Sequence, residues 1–155
     1  MVKFRKSKLT DAKQIAEILK AGFRISNVAE GIFVFKEESK TAHNYLVAEE
    51  EGKIVGIIVW RRIGLPKHRL GKIMRFHVLP GFEEIREEMF QRAVQALDKE
   101  YKNKKLHLRK IYLYVHSDNK ALHKFYKELG LIHEATLKDH FYKGVDDYIF
   151  SIHFE

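Results

Sequence analysis

The chain has 155 residues, of which 45% are hydrophobic and 32% are charged, and it contains no cysteine. This composition suits one folded domain and argues against disorder, and the lack of cysteine excludes disulfides, thiolate zinc sites and a cysteine nucleophile. The formal net charge of +8 favours anionic partners. The longest apolar run, residues 54–60, is too short to span a membrane, and no signal-peptide pattern follows Met1. We therefore expect a soluble, cytoplasmic protein with no membrane partner.

The N-terminal half is predicted to form a strand, two helices and a hairpin. These elements cover residues 3–6, 11–23, 26–40, 44–48 and 53–60 in that order. Thr10 is the expected cap of the first helix. The second helix is expected to be irregular around Gly31. The turn sequence that ends in Glu51-Gly52 predicts that the last two strands pair antiparallel.

The C-terminal half is predicted to alternate strands and helices after a polar loop at residues 61–71. Strands are expected at residues 73–78, 111–115, 131–137 and 148–154, and helices at 82–101 and 119–129. The full order, βααβββαβαββ, predicts an α/β (α+β) mixed sheet with helices on both faces. Ligands of such sheets bind at the carboxyl ends of neighbouring parallel strands, so we expect a cleft between strands 73–78 and 111–115.

A spaced motif follows the strand at 111–115. It consists of Asn119, then Phe125-Tyr126, then Gly130. This segment resembles the motif of the GNAT N-acetyltransferases, read as Asn-x-x-Ala-x-x-Phe-Tyr-x-x-x-Gly-Phe, with Leu122 and Leu131 as mild replacements. Residues 135–144 and the strand after them also resemble the closing hairpin of that family. The likeness covers nearly the whole chain and implies a single GNAT domain over residues 1–155.

The resemblance implies acetyl-CoA as co-substrate and a direct acetyl transfer to an amine. Asn119 would help to hold the pantetheine arm, which would pair with the backbone like an added strand. Tyr126 would protonate the departing thiolate. Backbone amides near Phe76 and Val78 would polarise the thioester carbonyl. Taken singly, Asn119 could be only a helix cap and Tyr126 only a core aromatic residue.

The pyrophosphate loop departs from the family pattern. Val78-Leu79-Pro80 is present, but residues 81–88 put carboxylates, among them Glu83 and Glu84, in the region where the family has glycines. They suit the positive end of a helix dipole and compete with pyrophosphate for it. Arg86, and also Arg92, could bind the phosphates instead. We expect weaker coenzyme A binding than the fold usually provides.

The general base also departs from the family pattern, in which many members carry a glutamate on the fourth strand. Residues 53–82 contain no acidic residue, and His77 is the nearest titratable candidate, with a water chain as the alternative. The same stretch holds seven basic residues: Arg61, Arg62, Lys67, His68, Arg69, Lys72 and Arg75. They form either a solvated loop or an anion site for the adenosine 3′-phosphate, an acidic substrate or nucleic acid. The histidines lack metal-ligand spacing, so no metal is expected.

Three functions follow from these observations. The first is an acetyl-CoA-dependent N-acetyltransferase that acts on a small-molecule or peptide amine. The second is a GNAT-fold binding or regulatory module with weakened or lost coenzyme A binding. The third is a basic nucleic-acid-binding domain that uses the face built on residues 61–75. The segments expected to set acceptor specificity, residues 21–43 and 139–147, carry no motif that identifies the amine.

Overall fold

Seven strands and four helices make up the computed structural model of the chain, which describes residues 1–154. The elements are β1 (Lys3–Lys6), α1 (Ala12–Gly22), α2 (Val28–Ser39), β2 (Asn44–Glu50), β3 (Lys53–Ile63), β4 (Leu70–Val78), α3 (Arg86–Lys102), β5 (Lys110–His116), α4 (Lys120–Glu128), β6 (Ile132–Tyr142) and β7 (Val145–His153). Short 3₁₀ turns precede α1, β4 and α3. The predicted order of elements and the α/β class are confirmed.

The strands form one mixed sheet in the order β1-β2-β3-β4-β5-β7-β6. β1 and β2 pair antiparallel, as do β2 and β3, which confirms the predicted hairpin. β4 and β5 pair parallel from Leu70↔Lys110 to Ile73↔Leu113. β5 pairs antiparallel with β7 along its whole length, up to His116↔Asp147. The long β6–β7 hairpin completes the sheet.

Two compact units make up the chain. The first comprises Met1–Arg61 and Arg75–Ala96, and its buried side chains come from β2, β3, the end of β4, the start of α3 and both N-terminal helices. The second comprises Arg62–Met74 and Leu97–Glu155, with Tyr101, Ile111 and Phe150 among its fully buried residues. The alternation of burial along β4 breaks at Met74 and Arg75, where two half-buried residues follow each other.

The start of α1 differs from the prediction. Thr10 lies inside a 3₁₀ turn, Leu9–Asp11, and the helix begins at Ala12. Asp11 takes the role expected of Thr10 in closing the entry turn, since its carboxylate accepts the Lys8 amide at 2.7 Å and binds Arg5 at 2.8 and 2.9 Å. The Arg5 hydrogen bond, aided by the Lys8 amide, lowers the pKa of Asp11. A carboxylate that binds both an amide and a guanidinium satisfies more donors than a hydroxyl could.

α2 is continuous, so the expected irregularity at Gly31 is wrong. Asn27 caps the helix by accepting the Glu30 amide at 2.8 Å. Gly31 is instead buried against α1: a Cβ atom there would lie 2.8 Å from the Cβ of Ala16 and 2.9 Å from its Cα. The glycine permits close packing of the two helices.

The predicted polar loop at residues 61–71 is shorter in the structure, because β3 continues to Ile63 and β4 begins at Leu70. A 3₁₀ turn at Pro66–His68 connects them. The Tyr101 hydroxyl donates to the Leu70 carbonyl at 2.7 Å and accepts the Leu70 amide at 3.1 Å. These two bonds fix the start of β4 against the end of α3.

Candidate active site

The end of β4 carries three of the predicted site residues. Phe76 and Val78 are buried, and Val78 packs at Gly56, where a Cβ would lie 3.2 Å from its Cγ2. His77 is half-buried and makes an edge-on ring contact with Phe23 at 6.2 Å. Burial lowers the pKa of His77, so its ring is uncharged at neutral pH and has a lone pair available.

Gly22 makes room for the His77 ring. A Cβ at Gly22 would lie 2.3 Å from Cγ of His77, closer than any real contact. The C-terminal end of α1 and the side chain of His77 therefore fit together only because residue 22 is glycine. This packing fixes the ring beside α1 and gives His77 a structural role as well as the predicted chemical one.

In the loop after β4, a carboxylate of the protein is bound to a backbone amide. Gly81 has φ of 93°, and its amide donates to both carboxylate oxygens of Glu83, at 3.0 and 3.1 Å. Hydrogen bonds from its own amide and from that of Gly81 lower the pKa of Glu83. Backbone amides in such a turn are the groups that would cradle a phosphate. Here the carboxylate of Glu83 binds one of them, and Glu83 and Glu84 are both exposed.

The two arginines expected to bind phosphates are both engaged within their own unit. Arg86 is half-buried, and its Nε donates to the Glu83 carbonyl at 3.3 Å. Arg92 binds Glu88 at 3.2 Å, and its guanidinium lies 4.6 Å from the centre of the Phe4 ring. An anion would therefore have to compete with existing contacts at either side chain.

A carboxylate reaches β4 from a distant part of the sequence. Glu38 on α2 binds Arg75 at 3.0 Å and accepts a very short hydrogen bond from the Tyr45 hydroxyl. Burial alone would raise the pKa of Glu38, but the bonds from Arg75 and Tyr45 outweigh it and lower the pKa. Burial and the Glu38 bond raise the pKa of Tyr45, so its hydroxyl stays protonated. The fourth strand thus has an acidic partner that its own sequence lacks.

The second unit holds the other predicted site residues, Asn119 at the N-cap of α4 and Tyr126 within that helix. The ladder of β5 with β4 ends at Leu113, although β5 itself continues to His116. Asn119 caps α4 by accepting the Leu122 amide at 3.3 Å. Tyr126 is 3% exposed and packs near the rings of Phe125 and Phe150. The cap and core roles weighed for Asn119 and Tyr126 are therefore both present in the fold.

The end of β5 also carries a histidine–aspartate pair that was not predicted. His116 Nδ1 lies 2.6 Å from Oδ1 of Asp147 on β7, and Asp147 is 1% exposed. His123 Nε2 lies 2.9 Å from the His116 carbonyl oxygen. The only sequence signal was His116 at the end of a buried strand, since its partner lies 31 residues further along the chain.

The basic stretch at residues 61–75 is partly neutralised within each unit. Arg75 pairs with Glu38, and Arg62 lies 3.9 Å from Glu100. The Lys72 ammonium lies 4.0 Å from the centre of the Tyr114 ring.

An open depression of about 490 Å³ lies along α4 and is lined by Lys120, His123, Lys124, Lys127 and Glu128. It includes none of the predicted site residues.

Neither a metal-binding cluster nor a membrane-spanning helix occurs within residues 1–154. No cluster of three or more His, Cys, Asp or Glu side chains in this range has a geometry that could hold a metal ion. Within the same range, none of the helices is both long and apolar enough to cross a membrane.

Comparison with known proteins agrees with this fold. The family model described as acetyltransferase (GNAT) family matches residues 12–131. Solved structures with the same fold include the ribosomal-protein-S18-alanine N-acetyltransferase of Escherichia coli, which is 13% identical with a TM-score of 0.79 and covers 99% of this chain and 94% of its own. The PaiA N-acetyltransferase of Thermoplasma acidophilum, solved in complex with coenzyme A, is 17% identical with a TM-score of 0.72 and 99% coverage of both chains. An N-acetyltransferase of Staphylococcus aureus is 18% identical with a TM-score of 0.75, covering 99% of this chain and 98% of its own. No curated protein sequence matches the chain.

The fold, the parallel β4–β5 pair and the motif around α4 define an acetyltransferase-type α/β domain. Because the family model matches most of its length, the chain belongs to the GNAT acetyltransferase family.

Proposed function

We propose that residues 1–155 form a single catalytic domain that transfers an acetyl group from acetyl-CoA to an amine. Membership of the family and a structural neighbour solved with coenzyme A support the co-substrate. The acceptor is a small-molecule or peptide amine, consistent with a neighbour named for the alanine of a ribosomal protein.

The β4–β5 ladder ends at the pair Ile73↔Leu113, and this end supports the proposal. Beyond Leu113, residues 114–116 of β5 remain paired with β7 but lie outside the ladder with β4. Backbone groups on that edge are suited to pair with the amides of a pantetheine arm, as an added strand would. Asn119 follows this edge three residues after His116.

The chemical roles follow from the residues present. Tyr126 would donate its proton to the thiolate of coenzyme A, and backbone amides near Phe76 and Val78 would stabilise the oxyanion. His77, or a water molecule, would accept the proton of the amine. The lowered pKa of His77 supports an uncharged ring that can take up a proton. Arg86 would contribute positive charge near the phosphates.

A second candidate function is a GNAT-fold binding or regulatory module that binds coenzyme A weakly or not at all. The hydrogen bonds between Glu83 and the Gly81 amide favour it, because they fill a phosphate position with a carboxylate of the chain itself. The module would keep the fold and lose the reaction.

Calorimetry with acetyl-CoA distinguishes the two functions. A dissociation constant near micromolar, about −8 kcal/mol, supports the enzyme. No heat of binding at about millimolar acetyl-CoA, where the free energy would be weaker than about −4 kcal/mol, leaves the module as the function.

A further inference from the structure

The His116–Asp147 pair lies at the end of β5 and is built like a proton-transfer unit. Asp147 is 1% exposed, and a buried carboxylate is costly unless it is paired. Its Oδ1 lies 2.6 Å from His116 Nδ1, while its buried Oδ2 has no hydrogen-bond partner within residues 1–154. The His116 side chain is 38% exposed. One nitrogen of the imidazole, Nδ1, is thus bound to a buried carboxylate, while part of the ring is exposed to solvent.

Asp147 orients the ring. An ionised carboxylate can only accept hydrogen bonds, so Nδ1 of His116 carries the proton that it donates to Asp147. Nε2 is then the unprotonated nitrogen of the neutral ring and is able to accept a proton. A carboxylate that holds an imidazole in this tautomer is the arrangement that general-base histidines use in other enzymes.

Stability alone does not explain the pair. His116 and Asp147 already face each other in the β5–β7 ladder. Next to them, the Ser117 amide donates to the Asp146 carbonyl at 2.8 Å, and the Asp146 amide donates to the Ser117 hydroxyl at 3.2 Å. The strands are therefore held together without the side chains, and an apolar pair at this position would avoid burying a charge.

Aromatic rings near His116 attract a cationic amine, whereas the Lys72 ammonium beside them repels it. Along β5, Tyr114 and His116 lie on the same face because strand side chains alternate. The Lys72 ammonium already lies 4.0 Å from the centre of the Tyr114 ring, and Tyr142 is 6.1 Å from the His116 ring. Aromatic faces attract ammonium groups. The other titratable groups that face this region are His140, 5.8 Å from Tyr114, and His123 behind the His116 carbonyl.

We propose that His116, oriented by Asp147, is the group that takes the proton from the acceptor ammonium in the acetyl transfer. This inference rests on the proposed function and replaces His77 or water in the role of base. His116 ends the strand whose free edge is proposed to bind pantetheine, and it precedes Asn119 by three residues.

The proposed reaction balances without a further reactant. R–NH₃⁺ gives one proton to Nε2 of His116, and the neutral nitrogen attacks the thioester carbonyl carbon. The C–N bond forms, the C–S bond breaks, and the thiolate takes the hydroxyl proton of Tyr126. The second nitrogen proton passes to the tyrosinate through solvent, and His116 releases its proton to water. The products are R–NH–CO–CH₃, coenzyme A thiol and one H⁺.

The test compares the His116→Asn, Asp147→Asn and His153→Asn variants with the wild type. His153 is exposed and lies at the opposite end of the same ladder, opposite Lys110, so it is the matched control. Coenzyme A release is measured from pH 5 to 9 with acetyl-CoA and a set of hexapeptides with free α-amines, and with spermidine. Circular dichroism and acetyl-CoA calorimetry verify that each variant folds and binds the co-substrate.

We expect His116→Asn to lower kcat by about 10²-fold or more with little change in KM, since general-base catalysis is worth about 10²–10⁴. The acidic limb of the pH profile should disappear. Asp147→Asn should also lower kcat, and ¹⁵N NMR of the ring should show the proton moving from Nδ1 to Nε2. His153→Asn should leave rate and profile unchanged.

Two results would overturn the proposal while leaving the proposed function intact: His116→Asn transfers acetyl at the wild-type rate with the acidic limb retained, or the wild-type ring of His116 carries its proton on Nε2. If the wild type neither binds acetyl-CoA nor acetylates any of the amines, the proposed function fails, and the role of His116 as base fails with it.

Discussion

Glu83 carries a negative charge in the turn that is proposed to lie near the phosphates of coenzyme A. Hydrogen bonds from its own amide and from the Gly81 amide keep its pKa low, so the side chain is ionised at neutral pH. A pyrophosphate that approached the same amide would meet a like charge. Solvent screens this repulsion in part, because Glu83 is exposed.

Glu83→Gln should therefore tighten acetyl-CoA binding, by about 10-fold if the carboxylate lines the phosphate site. Glutamine keeps an oxygen that can accept the Gly81 amide, so the turn should persist. Calorimetry measures the change. Glu84→Gln is the matched control, because Glu84 is equally exposed and its substitution removes the same charge. Equal affinities for wild type and Glu83→Gln would mean that the phosphates bind elsewhere.

Tyr126 is the residue proposed to act as acid. Tyr126→Phe removes only the hydroxyl from a side chain that is 3% exposed, so the ring packing should be kept. We expect turnover to fall by about 10²-fold or more, with acetyl-CoA affinity nearly unchanged, because a general acid acts in the transition state. Steady-state kinetics and calorimetry on the same preparations test this. A variant with wild-type turnover would remove Tyr126 from the mechanism.

The motif residues could be read from the sequence because their spacing is local. Asn119 and Tyr126 lie within one strand–helix segment, and their positions follow from it. His116–Asp147 and Glu38–Arg75 could not be found in this way, since each pair is separated by more than 30 residues. Strand register joins the first pair and packing of α2 on the sheet joins the second. Neither register nor packing can be read from a single sequence.

At the scale of elements, most boundaries followed from periodicity and turn residues, and the errors have physical causes. Periodic apolar residues predicted α3, whose buried residues Met89, Ala93 and Leu97 continue the helical spacing from Ile85 in the preceding 3₁₀ turn. Gly31 was misread because glycine disrupts helices in general. In the structure the lack of a side chain there serves the packing of α2 against α1, a tertiary effect that helix propensity does not contain.

Gly31→Ala separates helix propensity from packing, because the two effects change the free energy of unfolding in opposite directions. Helix propensity alone predicts stabilisation by about 1 kcal/mol. The new Cβ would lie 2.8 Å from Cβ and 2.9 Å from Cα of Ala16, and this Cα belongs to the backbone of α1 at a fully buried residue. Overpacking costs about 1–3 kcal/mol, so we expect a net loss of stability. Chemical denaturation measures it, with the exposed Ala29→Gly as a control for propensity.

The link between α2 and β4 should make stability depend on pH. Because the folded-state pKa of Glu38 is below its ordinary 4.5, the carboxylate stabilises the fold above that pH and loses this contribution as the pH falls through the folded-state pKa. Glu38→Gln should lower the free energy of unfolding at pH 7 by about 1–3 kcal/mol.

The difference between Glu38→Gln and the wild type should shrink below pH 4.5, where the wild-type carboxylate also becomes protonated. Urea denaturation from pH 3 to 8 follows both proteins. Glu37→Gln is the control, because Glu37 is the exposed neighbour and forms a surface ion pair with Lys40. A Glu38→Gln deficit that stays constant over the whole range would assign the effect to packing rather than to charge.

At the scale of the whole molecule, the net charge of +8 should attract polyanions without specifying a site. The structure weakens the case for a dedicated nucleic-acid surface at residues 61–75. Arg75 pairs with Glu38, Arg62 lies near Glu100, and Lys72 lies over Tyr114. If only net charge attracts polyanions, any exposed arginine or lysine contributes to binding. If residues 61–75 form a binding surface, substitutions there weaken binding more than substitutions elsewhere.

Binding of single-stranded RNA should be salt-sensitive, with the logarithm of affinity falling linearly as the logarithm of salt concentration rises, by about 0.7 for each phosphate contacted. If residues 61–75 form the surface, changing Arg61, Arg62 and Arg69 to Ala should weaken binding and make this slope shallower. The control removes three charges from exposed helix positions outside the stretch: Lys13, Lys20 and Lys36, each to Ala. Both variants carry +5 instead of +8, since three unit charges are removed from each. Equal loss in both variants would indicate only net-charge attraction, and a wild type that fails to retard RNA in a gel at low salt would exclude nucleic acid as a partner.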